Sequence, residues 1–231
     1  MFVLQNVIKR YAHRGREIIA FRAVQMELGR GMYHAVIGPS GSGKTTLLSL
    51  LGGMLSPEEG KVLVNGQSLY ELSINERAEL RRSQIGFVFQ TFNLVPYLTA
   101  QENVQLPLYL AGATPADQDK RAVELLSELG LGERLDHKPS ELSVGQQQRV
   151  ALARTLANSP SIILADEPTG NLDPESRALV LEYFDRFQAG GGTIITVTHD
   201  MAAADRAQKR WRLQNGELTE IPDSVRWRLS A

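Results

Sequence analysis

The sequence predicts an α/β fold with a mostly parallel sheet, and two stretches of the chain carry this prediction. Residues 33–37 form a short, mostly apolar run that leads through a glycine-rich loop into a helix-like run at residues 46–51. Residues 161–165, apolar after the first position, are typical of a strand buried on both faces of a parallel sheet, and two acids follow them. Strands that alternate with helices in this way place a ligand site at the carboxyl edge of the sheet.

The composition excludes several classes of protein. The 231 residues, 42% hydrophobic and 22% charged, suffice for one full core with a subdomain and fit neither a disordered nor a fibrous chain. A formal net charge of -1 gives no overall basic field, so we expect no nucleic-acid partner. The sequence contains no cysteine, which excludes disulfides and thiolate metal sites and fits a reducing compartment.

Neither a secretory signal nor a membrane span is expected from the apolar pattern. The first ten residues lack the cationic start, apolar centre and small-residue cleavage site of a signal peptide. The longest apolar stretch, residues 47–55, is far shorter than the roughly 20 residues that cross a bilayer. Any role at a membrane is therefore expected to depend on a partner.

A phosphate-binding loop is predicted between the first apolar strand and its helix. Its glycines let the backbone curl until several N–H groups and the helix N-terminus point at phosphate oxygens. Lys44 would reach the β and γ phosphates, the Thr45 hydroxyl would ligate Mg²⁺, and Thr46 would complete the set. The alternative, a glycine-rich surface turn, does not explain the flanking strand and helix. The eight residues of the pattern are Gly38, Pro39, Ser40, Gly41, Ser42, Gly43, Lys44 and Thr45.

The loop therefore predicts a P-loop NTPase core that binds ATP or GTP, and antiparallel strands precede it. Residues 2–8 alternate between apolar and polar and predict a strand that continues toward Tyr11 and ends in an exposed loop at 13–16. Further strands are predicted at 18–28 and 61–65. Tyr11, in the loop after the first strand, is a candidate to stack on adenine, or it is an ordinary strand-end aromatic. This part predicts an N-terminal antiparallel β-subdomain.

Residues 91–160 change character and predict an α-helical insert subdomain. Thr99 and Glu102 form a plausible capping box, an apolar stripe with a 3.6-residue period covers 122–129, and Ser143 begins a further helix. We expect one domain over residues 1–231. Its nucleotide-binding core with the antiparallel subdomain is predicted at 1–90 and 161–221, the helical subdomain at 91–160, and a tail without signal at 222–231.

Polar side chains stand at the ends of further predicted strands. Gln90 ends the strand that begins at residue 85, Asp166 and Glu167 follow the strand at 161–165, and His199 follows the strand at 193–198. Because parallel strands end at one edge of a sheet, these groups are expected to converge on one phosphate. Asp166 would orient Mg²⁺ with its water shell, and Glu167 would be the base that polarises the attacking water. Each group alone also fits an ordinary turn.

Two further segments complete a pattern. They are Leu142, Ser143, Val144, Gly145, Gln146, Gln147, Gln148 and Arg149, and then Asp166, Glu167, Pro168 and Thr169. They resemble the signature and Walker B segments of ATP-binding cassette (ABC) ATPases, and the resemblance covers almost the whole chain. The family's A-loop aromatic falls on Tyr11, its Q-loop glutamine on Gln90, its D-loop aspartate on Asp173 and its switch histidine on His199.

The resemblance implies a homodimer of two copies that face head to tail with ATP sandwiched between them. The phosphate loop of one copy would hold ATP, and the other copy's signature would cover it through Ser143, Gly145 and Gln146. Asp173 would bridge the copies, and His199 would contact the γ phosphate. Gln90 would sense Mg²⁺ and link the site to the helical insert.

Val144 departs from the family pattern, because the signature there usually has the first of two glycines. A β-branched residue narrows the backbone options and crowds the ligand. Ser143, Gly145 and the helix N-terminus still offer donors to phosphate, so we expect a working site.

The resemblance implies the ATP-binding and ATP-hydrolysing subunit of an ABC transporter, which powers export or mechanical work by a separate membrane permease. Residues 89–96, 102–107 and 169–173 are similar to the ATPases of lipoprotein-releasing and macrolide-exporting systems. The protein would be cytoplasmic and peripheral on the inner face of the plasma membrane. The apolar segment Phe92–Leu98 would receive a cytoplasmic helix of the permease, or it belongs to the core of the insert.

Two other functions stay open at this point. One is a regulatory or scaffold ATPase of a cell-envelope complex with little transport. The other is a soluble ABC-type ATPase that acts on DNA or the ribosome. Those proteins usually carry long coiled coils or paired cassettes, and here one cassette fills the chain.

Overall fold

The computed structural model describes residues 2–13 and 16–222, whose ten strands form one sheet. The strands are β1 (Phe2–His13), β2 (Arg16–Leu28), β3 (Tyr33–Ile37), β4 (Glu59–Val64), β5 (Gln67–Ser68), β6 (Ile85–Val88), β7 (Ile162–Asp166), β8 (Thr193–Thr198), β9 (Lys209–Gln214) and β10 (Glu217–Ile221). Their order across the sheet is β5-β4-β1-β2-β10-β9-β3-β8-β7-β6. Of the tail predicted at 222–231, all but the first residue lies outside the described residues.

The half of the sheet that contains β9, β3, β8, β7 and β6 is parallel. Ile37 pairs with Thr198, Asp166 with Val197, and Ala165 with Val88. The segments that follow β3, β6, β7 and β8 therefore leave the sheet at the same edge. This register confirms the predicted α/β class.

Strand β7 is buried on both faces, as its apolar run predicts. Ile162 and Leu164 belong to one hydrophobic cluster, which includes α1 (Lys44–Leu51) and the antiparallel strands. Ile163 and Ala165 belong to a second cluster, formed with the helices between β6 and β8. Because side chains alternate across a strand, β7 is shared by two cores.

The antiparallel half contains β1, β2 and β4, and it corrects two boundaries of the sequence prediction. Strand β1 continues past a register shift between Lys9 and Arg10, and Tyr11 pairs with Ile18 of β2. The prediction that Tyr11 lies in a loop is therefore wrong, because the pairing of β1 with β2 continues as far as His13 and Arg16. Of the loop predicted at 13–16, the two end residues thus belong to strands, and residues 14 and 15 lie outside the described residues.

Seven α-helices occur in the described residues, and capping side chains begin several of them. Besides α1 they are α2 (Ile74–Gln84), α3 (Ala100–Leu110), α4 (Pro115–Glu128), α5 (Val144–Leu156), α6 (Pro174–Ala189) and α7 (Met201–Ala204). The capping box of Thr99 and Glu102 is present at α3, and Ser143 caps α5 as predicted. Strand β5 and helix α7, which the sequence did not predict, are too short to show a hydrophobic period. Among the described residues, no helix has both the length and the apolar content needed to cross a bilayer.

Candidate functional site

The phosphate loop joins β3 to α1, and backbone from two other strands forms its walls. A Cβ built on Gly38 would lie 2.2 Å from the carbonyl oxygen of Leu213, and one on Gly43 would lie 2.0 Å from that of Ala20. Gly43 also has a φ of 103°, which L side chains rarely adopt. No side chain caps α1, and its first turn contains no acid. Its first N–H groups are therefore available to an anion.

Lys44 folds back over the mouth of this loop. Its Nζ donates to the carbonyl oxygens of Gly38 at 2.8 Å and Pro39 at 3.1 Å, and lies 3.7 Å from Oε1 of Glu167. The hydroxyl of Ser42 is also buried there without a hydrogen-bond partner among the described residues. The loop thus concentrates donors and one positive charge in a small volume, which is the chemistry that phosphate groups require.

The end of β7 places Asp166 beside the first turn of α1. The Thr45 hydroxyl donates to Oδ2 of Asp166 at 2.9 Å, so the two side chains that the sequence analysis assigned to Mg²⁺ lie in contact. Burial raises the pKa of Asp166, and the negative charge of Glu167 adds to the shift. Among the described residues, no three or more His, Cys, Asp or Glu side chains group closely enough to hold a metal ion. The pair of Thr45 and Asp166 fits Mg²⁺ because this ion takes one or two protein oxygens together with substrate phosphates.

Glu167 is the buried acid at the centre of the edge, with 8% of its surface exposed and a left-handed φ of 46°. Its Oε2 accepts from the Thr198 hydroxyl at 3.0 Å and from the backbone N–H of His199 at 3.1 Å. Nδ1 of His199 lies 2.9 Å from the same oxygen. Two donors and the imidazole of His199 thus surround Oε2, while Oε1 faces Lys44. A carboxylate held in this way can direct one oxygen at a reacting molecule.

The second group of predicted residues lies at the N-termini of α5 and α6. Ser143 accepts from the N–H of Gln146 and caps α5, and Asp173 caps α6 by accepting from the N–H of Ser176 at 2.9 Å. Hydrogen bonds from the backbone N–H and the side chain of Ser176 lower the pKa of the Asp173 carboxyl. Gly145 lies against Ser176, so the two helix ends are packed together. No hydrogen bond or ion pair in the described part of the chain joins this group to the phosphate loop.

Two predicted residues stand apart from both groups. Strand β6 ends at Val88, so the prediction that Gln90 ends the strand is wrong; Gln90 is exposed in the turn that follows. Among the described residues, none of the hydrogen bonds joins its amide to Asp166. Tyr11 is 45% exposed, and Nζ of Lys9 lies over its ring at 5.6 Å from the centroid.

Sequence reasoning missed two residues that hold the turn of Glu167. Thr198 donates to the Glu167 carboxylate, and Gln148 on α5 donates from Nε2 to the carbonyl oxygen of Pro168 at 2.8 Å. Thr198 could have been found, because it precedes His199 directly on a strand that ends at the site. The polar sequence around Gln148 gave no sign that this residue is buried.

Comparison with known proteins identifies the chain. The family model described as ABC transporter matches residues 21–170. The chain belongs to the ABC transporter family. The phosphate loop, Asp166, Glu167 and the signature segment all lie within this match. The cassette is accordingly an ATP-binding ATPase.

The relatives of the cassette point to one branch of the family. An uncharacterized ABC transporter ATP-binding protein of Thermotoga maritima is 46% identical over 218 residues, 94% of this chain and 93% of the relative. The lipoprotein-releasing system ATP-binding protein LolD 1 of Rhodopirellula baltica is 43% identical over 219 residues, 94% of this chain and 96% of the relative. The cassette is an ABC transporter ATP-binding subunit of the LolD and MacB type.

Two further matches concern a longer relative and a solved structure. The macrolide export ATP-binding/permease protein MacB of Bartonella quintana is 41% identical over 225 residues, which are 97% of this chain but only 34% of that protein. The cassette thus spans about a third of that relative. The dimeric cassette MJ0796, solved in a post-hydrolysis state with ADP and Pi, superposes with a TM-score of 0.90 at 40% identity, covering 96% of this chain and 98% of that one.

Proposed function

We propose that the cassette powers export, or mechanical work, by a separate membrane permease, and that it does so as a head-to-tail homodimer with ATP and Mg²⁺ at the interface. One observation carries the proposal: Lys44, the pair of Thr45 with Asp166, and the pair of Glu167 with His199 meet at one edge of the sheet. These are the charges and oxygens that phosphoryl transfer to water requires.

Each group at this edge has a distinct part in hydrolysis. The N–H groups of the loop and the Lys44 ammonium bind the β and γ phosphates. Thr45 and Asp166, with Gln90 brought in from its turn, would hold Mg²⁺, which would neutralise charge on the phosphates. Glu167 orients the attacking water with Oε1 and takes up its proton, and His199 contacts the γ phosphate.

The placement of the two groups of site residues supports the proposed dimer. Ser143 is exposed at the N-terminus of α5, Gln146 is half-buried, and Gly145 is buried against α6. None of the hydrogen bonds and ion pairs of the described residues joins this terminus to the phosphate loop of its own chain. Placed over the loop of a second copy, this terminus supplies the donors that close the site, and Asp173 lies beside it to bridge the copies. Tyr11 stacks on the adenine. The dimeric form of MJ0796 supports this arrangement.

The permease is proposed to dock a helix in a groove of about 880 Å³ between α2, β6, α3 and α5. Phe87 and Phe89 stack in it at a centroid separation of 5.6 Å, and Leu110 at its side is 60% exposed. The segment Phe92–Leu98 borders the groove. Its Leu94 packs into the helical core, whereas Tyr97 is 82% exposed and free to meet the partner. Such docking places the cassette on the cytoplasmic face of the membrane.

The Glu167→Gln variant tests the proposal. It should bind ATP normally, hydrolyse it about 10²–10⁴-fold more slowly, and accumulate as an ATP-bound dimer, because the water is no longer deprotonated. Phosphate release measures the rate of hydrolysis, and light scattering measures the amount of dimer. Glu182→Gln on the exposed side of α6 is the matched control and should behave as wild type. Undiminished turnover in Glu167→Gln would refute the assignment of the base.

A further inference from the structure

The turn after Gln90 holds two successive residues in a left-handed conformation. Phe92 has a φ of 58° and Asn93 a φ of 50°, and neither is glycine. Such a pair persists only where the surrounding structure determines it. Inside the turn, the N–H of Phe92 donates to the carbonyl of Phe89 at 3.2 Å and that of Asn93 to Thr91 at 2.5 Å. These bonds close the turn, and they leave the carbonyls of Phe92 and Asn93 to other partners.

The guanidinium of Arg154 binds both of these carbonyls. Nη1 donates to Asn93 at 2.6 Å and Nη2 to Phe92 at 2.7 Å. Arg154 is half-buried, desolvation lowers the pKa of its guanidinium, and no carboxylate of the described residues forms an ion pair with it. The peptide dipoles of the turn therefore compensate its charge. Such charge-assisted bonds are stronger than neutral ones, and here two of them act on adjacent peptides.

Helix α5 connects this contact to the rest of the site. Arg154 lies in the last turn of α5, and Ser143 caps the other end about 16 Å away, at roughly 1.5 Å per residue. Between them, Gln148 bonds to Pro168 next to Glu167. One helix therefore carries the signature residues, touches the turn of the catalytic acid and holds the turn after Gln90. Arg154 also lines the docking groove.

We propose that Arg154 is a positioning residue that sets where Gln90 stands by fastening residues 91–93 to α5. The proposal rests on the proposed function, which gives Gln90 its role at Mg²⁺ and the groove its permease helix. A helix that presses on Phe89 and Asn93 then moves α5 and Gln90 together. Lysine does not replace this arginine, because one ammonium cannot present two fixed N–H groups to two carbonyls.

Hydrogen exchange tests the contact without any substrate. Peptides that cover residues 89–95 should exchange about tenfold faster in Arg154→Met, and by a smaller factor in Arg154→Lys. Arg82→Met is the matched control, because Arg82 lines the same groove and donates to the carbonyl of Leu110 at 2.8 Å, away from the turn. It should leave residues 89–95 unchanged. Unchanged exchange in Arg154→Met overturns the proposal, and if that variant does not fold, the lysine variant decides by the same criterion.

The Mg²⁺ dependence of ATP hydrolysis tests the action through Gln90. Arg154→Met and Gln90→Ala should each raise the Mg²⁺ concentration that gives half-maximal hydrolysis at saturating ATP by roughly fivefold or more. In the double variant this concentration should be no higher than in Gln90→Ala. If the two increases multiply in the double variant, Arg154 has a merely structural role and the proposal is overturned. A wild type without Mg²⁺-dependent hydrolysis would instead refute the proposed function, whereas the exchange result would stand by itself.

Discussion

Replacing Gly145 with alanine should force α5 away from α6. A Cβ at this position would lie 2.0 Å from Oγ of Ser176 and 2.8 Å from its Cβ. The hydroxyl can rotate, but the Cβ of Ser176 is fixed to the backbone of α6. Since ordinary contact begins at 3.4 Å, the two Cβ atoms must move apart by about 0.6 Å. Ser176 is buried, so neighbouring side chains resist that shift.

Overpacking of this kind costs about 1–3 kcal/mol. In a protein of this size each kcal/mol lowers the melting temperature by about 2–4 °C, so Gly145→Ala should melt about 2–12 °C below wild type. The ATPase rate should fall as well, because the shift moves the signature end of α5. Thermal unfolding followed by circular dichroism, beside a phosphate-release assay, measures both effects.

The Ser176→Gly substitution separates this clash from other causes. It removes the two nearest atoms that the new Cβ would meet, leaving Oδ2 of Asp173 at 3.3 Å, and it keeps the backbone N–H that donates to Asp173. Gly145→Ala combined with Ser176→Gly should recover at least about 1 kcal/mol relative to the sum of the single variants. Additive losses, or a melting temperature of Gly145→Ala equal to that of wild type, would refute the reasoning.

Two further predictions concern Val144 and Asp166. Val144 is 49% exposed at the start of α5, so Val144→Gly should leave the ATPase rate within about tenfold of wild type; loss of all activity in a phosphate-release assay would contradict this. Because burial raises the pKa of Asp166, the ionised carboxylate destabilises the fold, and stability falls as the pH rises through the folded-state pKa. The melting temperature of Asp166→Asn should therefore exceed that of wild type at pH 7, and the difference should narrow toward pH 3.8, the ordinary pKa of the carboxyl group. The same variant should lose ATPase activity. Melting curves from pH 4 to pH 8 test this, and an Asp166→Asn variant no more stable than wild type at pH 7 would count against it.

The sequence predicted the elements whose pattern is local. The apolar run of β7, the glycine spacing of the loop, the capping box at Thr99 and the helix start at Ser143 depend on residues a few positions apart. Boundaries depend on pairing with distant residues, and there the prediction failed. Tyr11 belongs to β1 because β2 pairs with it, and Gln90 lies beyond β6 because that strand pairs with β7 only as far as Val88.

Positions 144 and 145 of the signature differ in a way that the sequence motif does not record. Both positions usually hold glycine in the family, and the pattern treats them alike. The structure separates them, because Val144 points to solvent while Gly145 touches the neighbouring helix. The reason for glycine at 145 therefore lies in Ser176, which no spacing rule connects with it. Gln148 and Arg154 escaped the sequence analysis for the same reason, since their partners are backbone carbonyls of distant loops.

The carbonyls of Ala20 and Leu213, which lie close to Gly43 and Gly38 of the phosphate loop, also affect how ATP binds. A loop whose curvature is imposed by two strands does not have to be ordered by its ligand, so little of the binding energy is spent on immobilising backbone. The eight residues would lose this property as an isolated peptide or on a scaffold without those strands. Substitutions in β2 or β9 that shift either carbonyl should then weaken nucleotide affinity, although neither strand contributes a residue to the phosphate-binding pattern.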